Sequence, residues 1–153
     1  MDISQITDYL FVGGQPDSAH ADELNRLGVR LIISMCGEVR PPVVFEHEPF
    51  QVLWLRTFDT LFTPIPVHKL VEGVRAALPV IERGERVLAH CHYGRHRCVA
   101  MGAAILIATG HTADEAMRLL REGRAVADPQ AWYVRRQIKK FEQLWNRKKK
   151  GER

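Results

Sequence analysis

A cysteine and an arginine, Cys91 and Arg97, stand between two apolar segments of the chain. The segment before them, Arg86–Ala89, is typical of a short strand, and the one after them, Val99–Ala108, is apolar on nearly every side, as a buried helix would be. The start of a helix offers unpaired backbone N–H groups and a positive potential, and both favour an anion. Gly94 allows the intervening loop to curl so that successive N–H groups point inward.

These residue types suit chemistry on a phosphate ester. Arg97 can donate two hydrogen bonds to phosphate oxygens, and the positive field lowers the pKa of Cys91 well below its ordinary value of about 8.5. We therefore predict attack of the Cys91 thiolate on a bound phosphate, whereas an inert buried thiol beside a solvated turn fits the spacing less well. The remaining predicted phosphate-binding residues are His92, Tyr93, Gly94, Arg95 and His96, with His90 in support.

A leaving alkoxide or phenoxide must be protonated, so a general acid is expected near the loop. Asp59 follows the apolar segment Val52–Leu55 and is the candidate, although an aspartate there also suits a turn or helix cap. Asp128, before Pro129, is interpreted as the cap of the last helix.

The string His90-Cys91-x-x-Gly94-x-x-Arg97 resembles the signature of the small dual-specificity branch of the cysteine-based protein tyrosine phosphatases. The resemblance covers nearly the whole chain, because the residues at 9–13 and 27–33 are similar to the first strands of such domains. It implies a phosphocysteine intermediate hydrolysed by water in a second step, with no metal and no cofactor. It also implies that Asp59 occupies the position of the family's mobile-loop aspartate.

Cys98 departs from the family pattern, in which a serine or threonine usually follows the arginine and donates a hydrogen bond to the thiolate. A thiol is a weak donor, so we expect a less depressed pKa of Cys91 and a slower second step. Alternatively, Cys98 only packs. Both Cys98 and Cys36 are candidate partners for a reversible disulfide with Cys91.

Arg95, with His92 and His96, makes the loop more cationic than phosphate binding alone demands. The basic residue at this position makes the loop similar to that of relatives that act on phosphoinositides or inositol pyrophosphates, which also carry a basic residue where Arg95 stands. Three functions stay open: a dual-specificity protein phosphatase with phosphotyrosine as its best protein substrate, an enzyme for small polyanions, or a non-catalytic phosphate-binding module. A sulfur transferase would leave Asp59 without a role.

The composition limits the classes of protein further. With 153 residues, 46% of them hydrophobic, the chain is expected to form one phosphatase domain over residues 1–147, followed by a basic tail over 148–153. It has three cysteines, no signal peptide and no apolar segment of membrane-spanning length, so we expect a cytoplasmic protein. The net charge is +4, and Arg147–Lys150 is interpreted as a solvated helix end rather than a nucleic-acid arm. Cys91 and the two loop histidines lack the second ligand pair of a zinc site.

Strand-like and helix-like segments alternate along the first two thirds of the chain, and helices follow. This order predicts an α/β fold, with a mostly parallel sheet of four to five strands flanked by helices on both faces. In such a sheet, ligands bind where strands end and helices begin, which is where the loop lies. Strands are predicted at 9–12, 29–35, 52–55 and 86–89. Helices are predicted from the caps Asp17-Ser18 to Leu27, from Pro66 to Arg83, over 99–108, after a cap at Thr112, and from Pro129 to Trp145.

Overall fold

A computed structural model describes residues 1–58 and 63–151 of the chain. The strands in these ranges are β1 (Ile3–Gln5), β2 (Leu10–Gly13), β3 (Val29–Cys36), β4 (Gln51–Thr57) and β5 (Arg86–His90). The α-helices are α1 (Ala21–Arg26), α2 (Val67–Glu82), α3 (Arg97–Ala108), α4 (Ala113–Gly123) and α5 (Trp132–Gly151). Two short 3-10 helices, Ser18–His20 and Val43–Glu46, complete the description.

The five strands form one sheet in the order β1-β2-β5-β3-β4. The pairs β2–β5, β5–β3 and β3–β4 are parallel, and only β1 runs antiparallel to its neighbour. The predicted mostly parallel α/β sheet is therefore confirmed. The edge strand β1 was not predicted, because three residues of mixed polarity are too short to show a periodic pattern.

Both faces of the sheet are buried, as predicted. Successive side chains of a strand point to opposite faces, so Leu31 and Ile33 face the larger core while Ile32 faces a smaller one. The larger core is formed with α2 to α5, and the smaller one includes Leu24 of α1 and Phe45 of the second 3-10 helix. The central strand β5 thus has its carboxyl end at the middle of a sheet covered on both sides.

Helix α3 lies at the centre of the larger core, and every residue from Arg97 to Ile107 is buried. This explains why its sequence is apolar on all sides rather than along one stripe. The predicted cap of α4 is confirmed, since Thr112 Oγ1 accepts a hydrogen bond from the Glu115 N–H at 3.2 Å.

The prediction for the start of α5 was wrong. The helix begins at Trp132 rather than directly after Asp128-Pro129. The Asp128 N–H instead donates to the carbonyl of Arg95 at 3.0 Å, which holds this segment against the loop that follows β5. At its other end, α5 continues through Lys148–Lys150. Among the described residues, no helix combines the length and apolar character that crossing a membrane requires.

Candidate functional site

The loop between β5 and α3 surrounds a depression of about 120 Å³ at the carboxyl end of the central strand. Cys91 is the first residue after the strand and is only 3% exposed. Tyr93, Arg95, His96 and Arg97 line the depression with it. The structure therefore brings most of the residues predicted from the sequence around one sulfur atom.

The sulfur of Cys91 is held in a polar environment although the residue is buried. A hydrogen bond from the Cys98 side chain is the largest factor that lowers its pKa, followed by the backbone N–H groups of Cys98 and Gly94 and by the charge of Arg97. Burial opposes them, yet together they lower the pKa of Cys91 to about 5. Cys91 is therefore a thiolate at neutral pH, as an attacking sulfur must be.

Cys98 acts as a donor to Cys91, and whether it is weaker than a hydroxyl stays a prediction. Its side chain is fully buried, and burial together with the neighbouring Cys91 raises its pKa well above the ordinary value. Cys98 therefore keeps its proton and donates it toward Cys91. In this respect it takes the place of the hydroxyl that the resemblance led us to expect.

The guanidinium of Arg97 is held from outside the loop. Its Nη1 and Nη2 donate to the two carboxylate oxygens of Glu38 at 2.9 and 2.8 Å. Nη1 also lies 3.1 Å from the carbonyl oxygen of Met35 and 3.0 Å from that of Thr57. The Nε donor is buried and has no hydrogen-bond partner among the described residues. A buried donor normally has a partner, so this N–H is a candidate donor to a bound anion.

The carbonyl groups of the loop are turned away from the depression. Arg124 donates from Nε to the Gly94 oxygen at 2.8 Å and from Nη2 to the Tyr93 oxygen at 3.2 Å. The Asp128 N–H donates a hydrogen bond to the next carbonyl of the loop, that of Arg95. With three successive carbonyls fixed outward, the N–H groups are free to face an anion, as in a nest.

Arg124 is itself anchored by the first strand and the residue before it. Its Nη1 and Nη2 donate to the two carboxylate oxygens of Asp2 at 3.0 and 2.9 Å, and Nη1 also contacts Ser4 Oγ at 3.2 Å. The Arg124 side chain is only 3% exposed. The edge strand therefore contributes to the shape of the loop.

The histidines near the loop have different surroundings. His90 is buried, and neither ring nitrogen has a partner in hydrogen-bond geometry among the described residues. Burial lowers its pKa to about 4 although the backbone of Cys91 offsets part of the effect, so His90 is neutral. His92 is exposed and packs edge-on against Tyr93, whereas His96 Nε2 lies 3.5 Å from Asp128 Oδ2 and His96 Nδ1 lies 3.4 Å from the Tyr133 hydroxyl.

The remaining predicted residues are Asp59 and Cys36. Asp59, the candidate general acid, lies outside the described residues. Cys36, at the end of β3, is a buried free thiol, and burial raises its pKa to about 12. No group of histidine, cysteine and acidic side chains within residues 1–58 and 63–151 has an arrangement suited to a metal ion.

The sequence reasoning missed Glu38 and Arg124. Glu38 follows the apolar strand β3, and β3 is the direct neighbour of β5 in the sheet. A charged residue after a buried parallel strand is a signal that could have indicated the site. Arg124 follows α4 without any local pattern, so only the tertiary structure reveals its contact with the loop.

Comparison with known proteins finds relatives that include dual specificity phosphatases, at 27% to 28% sequence identity. No protein-family model matches the sequence. Dual specificity protein phosphatase 22 of Mus musculus is 28% identical over a match that covers 98% of this chain and 83% of the relative. The chain also matches three longer relatives, but it covers only 9% to 19% of their length.

Solved structures agree on the fold. The crystal structure of human DUSP28 has a TM-score of 0.81 at 22% identity, over 95% of this chain and 96% of that one. The structure of PTPMT1 has a TM-score of 0.86 at 22% identity, over 97% and 99%. A further structure of PTPMT1 holds PI(5)P.

Proposed function

We propose that the chain belongs to the small dual-specificity branch of the cysteine-based protein tyrosine phosphatases, as its relatives at 27% to 28% identity support, and that it hydrolyses phosphate monoesters through a phosphocysteine formed on Cys91. The observation that carries the proposal is the pairing of an anionic sulfur with an unsatisfied donor. Cys91 has its pKa lowered to about 5, and the buried Nε of Arg97 beside it has no partner among the described residues. A tetrahedral oxyanion satisfies that donor and places its phosphorus next to the thiolate.

In the first step the Cys91 sulfur attacks phosphorus, the S–P bond forms, and the ester P–O bond breaks. The developing charge on the equatorial oxygens is stabilised by the loop N–H groups and by Arg97. The departing oxygen takes a proton from a general acid, and Asp59 is our candidate for this group.

In the second step a water oxygen attacks phosphorus, the S–P bond breaks, and inorganic phosphate leaves. The sulfur departs as a thiolate, which the hydrogen bond from Cys98 stabilises. The water proton passes to the group that acted as the acid in the first step, so the enzyme returns to its starting state.

Phosphorylated proteins are the first candidate substrates. The depression is about 120 Å³ in volume, and Tyr93 at its rim is 71% exposed. An open rim of this kind accepts a phosphotyrosine ring and also leaves shorter phosphoserine or phosphothreonine side chains within reach of Cys91.

A small polyanion such as an inositol phosphate or a phosphoinositide is the second candidate, and Arg95 favours it. The Arg95 side chain is exposed at the edge of the depression, where it adds a cation that binding of one phosphoryl group does not need. The PI(5)P complex of PTPMT1 concerns that protein, but it makes a phosphoinositide a sensible member of a substrate panel.

Hydrolysis of an aryl phosphate by the full chain tests the proposal. We expect release of the phenol by the wild type, loss of turnover in Cys91→Ser, and a phosphorylated Cys91 in acid-quenched reactions of the wild type. Arg97→Lys is expected to be severely impaired, because an ammonium group cannot donate in parallel to both Glu38 oxygens and also offer a separate donor in the position of Nε. Absence of turnover in the wild type would instead favour a non-catalytic phosphate-binding module.

We also propose a reducing, cytoplasmic location, because the thiolate chemistry requires Cys91 to stay unoxidised. The three cysteines are free and buried. A reversible disulfide of Cys91 with Cys98 or Cys36 stays a prediction.

A further inference from the structure

Gln137 is a buried polar residue on the otherwise apolar inner face of α5. It is 5% exposed, and the other buried residues of this helix are Val134, Ile138 and Phe141. Their spacing is that of one helical face, which is expected to be apolar throughout. An amide in such a position costs free energy unless it is hydrogen-bonded. Its presence therefore indicates a specific contact.

That contact is a short hydrogen bond to the backbone before α2. Gln137 Nε2 donates to the carbonyl oxygen of Ile65 at 2.6 Å. Ile65 is 5% exposed and stands between Pro64 and Pro66. Proline has no N–H and restricts the residue before it to extended conformations, so this segment is stiff. A buried carbonyl needs a partner, and the Gln137 amide supplies it and fixes the position of the segment.

The fixed segment follows the candidate general acid in the chain. Asp59 lies between Thr57 and Ile65 in the sequence. The Thr57 carbonyl accepts hydrogen bonds from the Gly37 N–H at 2.9 Å and from Arg97 Nη1 at 3.0 Å. The chain is therefore held before Asp59 by the arginine of the catalytic loop, and after Asp59 by Gln137.

Helix α5 also contacts the catalytic loop directly. The Tyr133 hydroxyl lies 3.4 Å from Nδ1 of His96, and His96 lines the depression that contains Cys91. Tyr133 and Gln137 are four residues apart, so they lie on the same face of the helix, one turn from each other. One rigid helix thus contacts both the loop that carries the attacking sulfur and the segment that follows the acid.

We propose that Gln137 is a positioning residue for the general acid. Through the Ile65 carbonyl it fixes the end of the segment that carries Asp59, and it thereby keeps the Asp59 carboxyl group within reach of the leaving oxygen. The inference rests on the proposed function and deepens it, because it assigns a residue outside the loop to the proton transfer. The proton passes from Asp59 to the ester oxygen as the P–O bond breaks, and a small displacement of the acid is enough to slow this step.

The test compares two aryl phosphates whose phenols differ in acidity. Phenyl phosphate releases a strongly basic phenoxide, similar to that of tyrosine with its pKa of about 10, whereas p-nitrophenyl phosphate releases a much weaker base. Gln137→Met keeps the size of the side chain and removes the donor. We expect it to lower kcat/KM for phenyl phosphate about tenfold, a part of the roughly 10²- to 10⁴-fold that a general acid contributes. The value for p-nitrophenyl phosphate should fall much less.

Asp59→Asn shows whether Gln137 acts through the acid. It should give a larger difference between the two substrates than Gln137→Met does. Adding Gln137→Met to Asp59→Asn should then cause little further loss with phenyl phosphate, because the effects of residues that act as a unit do not add. Losses that multiply in the double variant would overturn the proposal.

Glu142→Met is the matched control, because it removes an equally short hydrogen bond of the same helix at another place. Glu142 Oε2 accepts from the Ala113 N–H at 2.6 Å, at the start of α4. This variant should lose stability in urea without changing the ratio of kcat/KM for the two substrates. If Gln137→Met likewise lowers both values by one factor, its role is only structural and the proposal is wrong.

Pro64→Gly perturbs the same segment without touching the buried face of α5, so it is informative even if Gln137→Met does not fold. Glycine removes the restriction on the backbone, and the variant should again lose more activity with phenyl phosphate than with p-nitrophenyl phosphate. Equal effects on both substrates would overturn the inference alone. Absence of turnover of either ester by the wild type would overturn the proposed function together with it.

Discussion

The two sulfur atoms of the site show how burial acts differently on neighbouring thiols. Cys91 receives hydrogen bonds from the Cys98 side chain and from two backbone N–H groups, and its pKa decreases despite burial. Cys98 is surrounded by the core and lies beside a thiolate, so its pKa increases. The two thiols together therefore carry one negative charge, and it lies on the sulfur of Cys91, which lines the depression.

Replacement of Cys98 by alanine is expected to raise the pKa of Cys91 above about 5, because it removes the largest factor that lowers it. The measurement is the rate of alkylation by iodoacetamide as a function of pH. Below its pKa the sulfur is a slow-reacting thiol, so the rate in the wild type should rise through about pH 5, and the curve of Cys98→Ala should lie at higher pH.

Cys98→Ser is the matched variant, since a hydroxyl keeps a donor at the same place. Its curve should stay close to that of the wild type or move to lower pH. Cys36 should not disturb the measurement, because burial raises its pKa to about 12. Superimposable curves for the wild type and Cys98→Ala would contradict the role assigned to the thiol.

At the scale of elements, the loop between β5 and α3 has its shape because other elements hold it. Gly94 adopts a φ of +70°, which side chains other than glycine rarely accept. A Cβ atom at this position would meet the Arg124 guanidinium and would lie 2.7 Å from the carbonyl carbon of Gly13 in β2. The turn of the loop and its packing against β2 and Arg124 therefore both require a residue without a side chain.

Gly94→Ala and Gly84→Ala separate backbone strain from packing. Gly84, after α2, has a similar φ of +79°, but a Cβ atom there would have no described neighbour within 4 Å. We expect Gly84→Ala to lose about 1 to 2 kcal/mol of unfolding free energy from the strained backbone alone, with unchanged activity. Gly94→Ala should lose more stability and most of its kcat/KM for an aryl phosphate.

Urea unfolding and steady-state kinetics on the two variants check this expectation. We expect both variants to lose stability, and only Gly94→Ala to lose activity. Wild-type kcat/KM in Gly94→Ala would show that the loop tolerates the Cβ and that the packing against β2 is not required.

At the scale of the whole molecule, the site joins parts of the chain that are far apart in sequence. Arg97 is held by groups 62, 59 and 40 residues away, namely the Met35 carbonyl, Glu38 and the Thr57 carbonyl. These three contacts are possible because β5, β3 and β4 are parallel neighbours, so their carboxyl ends meet at one edge of the sheet.

This arrangement explains what the sequence could and could not predict. The apolar segments predicted β2 to β5 and the central helix, because burial on both faces leaves a strong pattern. The spacing from Cys91 to Arg97 predicted the loop, because that chemistry is local. The contacts of Glu38 and Arg124 depend on which strands are neighbours and on where α4 ends, and no local pattern carries this information. The start of α5 was predicted wrongly for the same reason, since Asp128 binds the loop.

The contribution of Glu38 can be measured at this scale. Burial opposes the charge of Arg97, and the hydrogen bonds to Glu38 are the main factor that keeps its pKa raised. Glu38→Ala should let the guanidinium turn away from the depression and should lower kcat/KM roughly tenfold, near the lower end for hydrogen bonds between charged groups. The expected decrease is at this lower end because the Glu38 side chain is 42% exposed and water screens its charge. Glu38→Gln should be less impaired, because one acceptor remains.

Inhibition by inorganic phosphate distinguishes positioning of Arg97 from a general loss of structure. We expect weaker inhibition in Glu38→Ala, since the donor to the anion is displaced, in a protein that still unfolds cooperatively although the buried Arg97 has lost a partner. Glu46→Gln is the control, because Glu46 pairs with the exposed Arg40 at 3.3 Å, away from the loop. If Glu38→Ala kept both the wild-type kcat/KM and the wild-type affinity for phosphate, Arg97 would not depend on Glu38, and the contact between the two would only join β3 to α3.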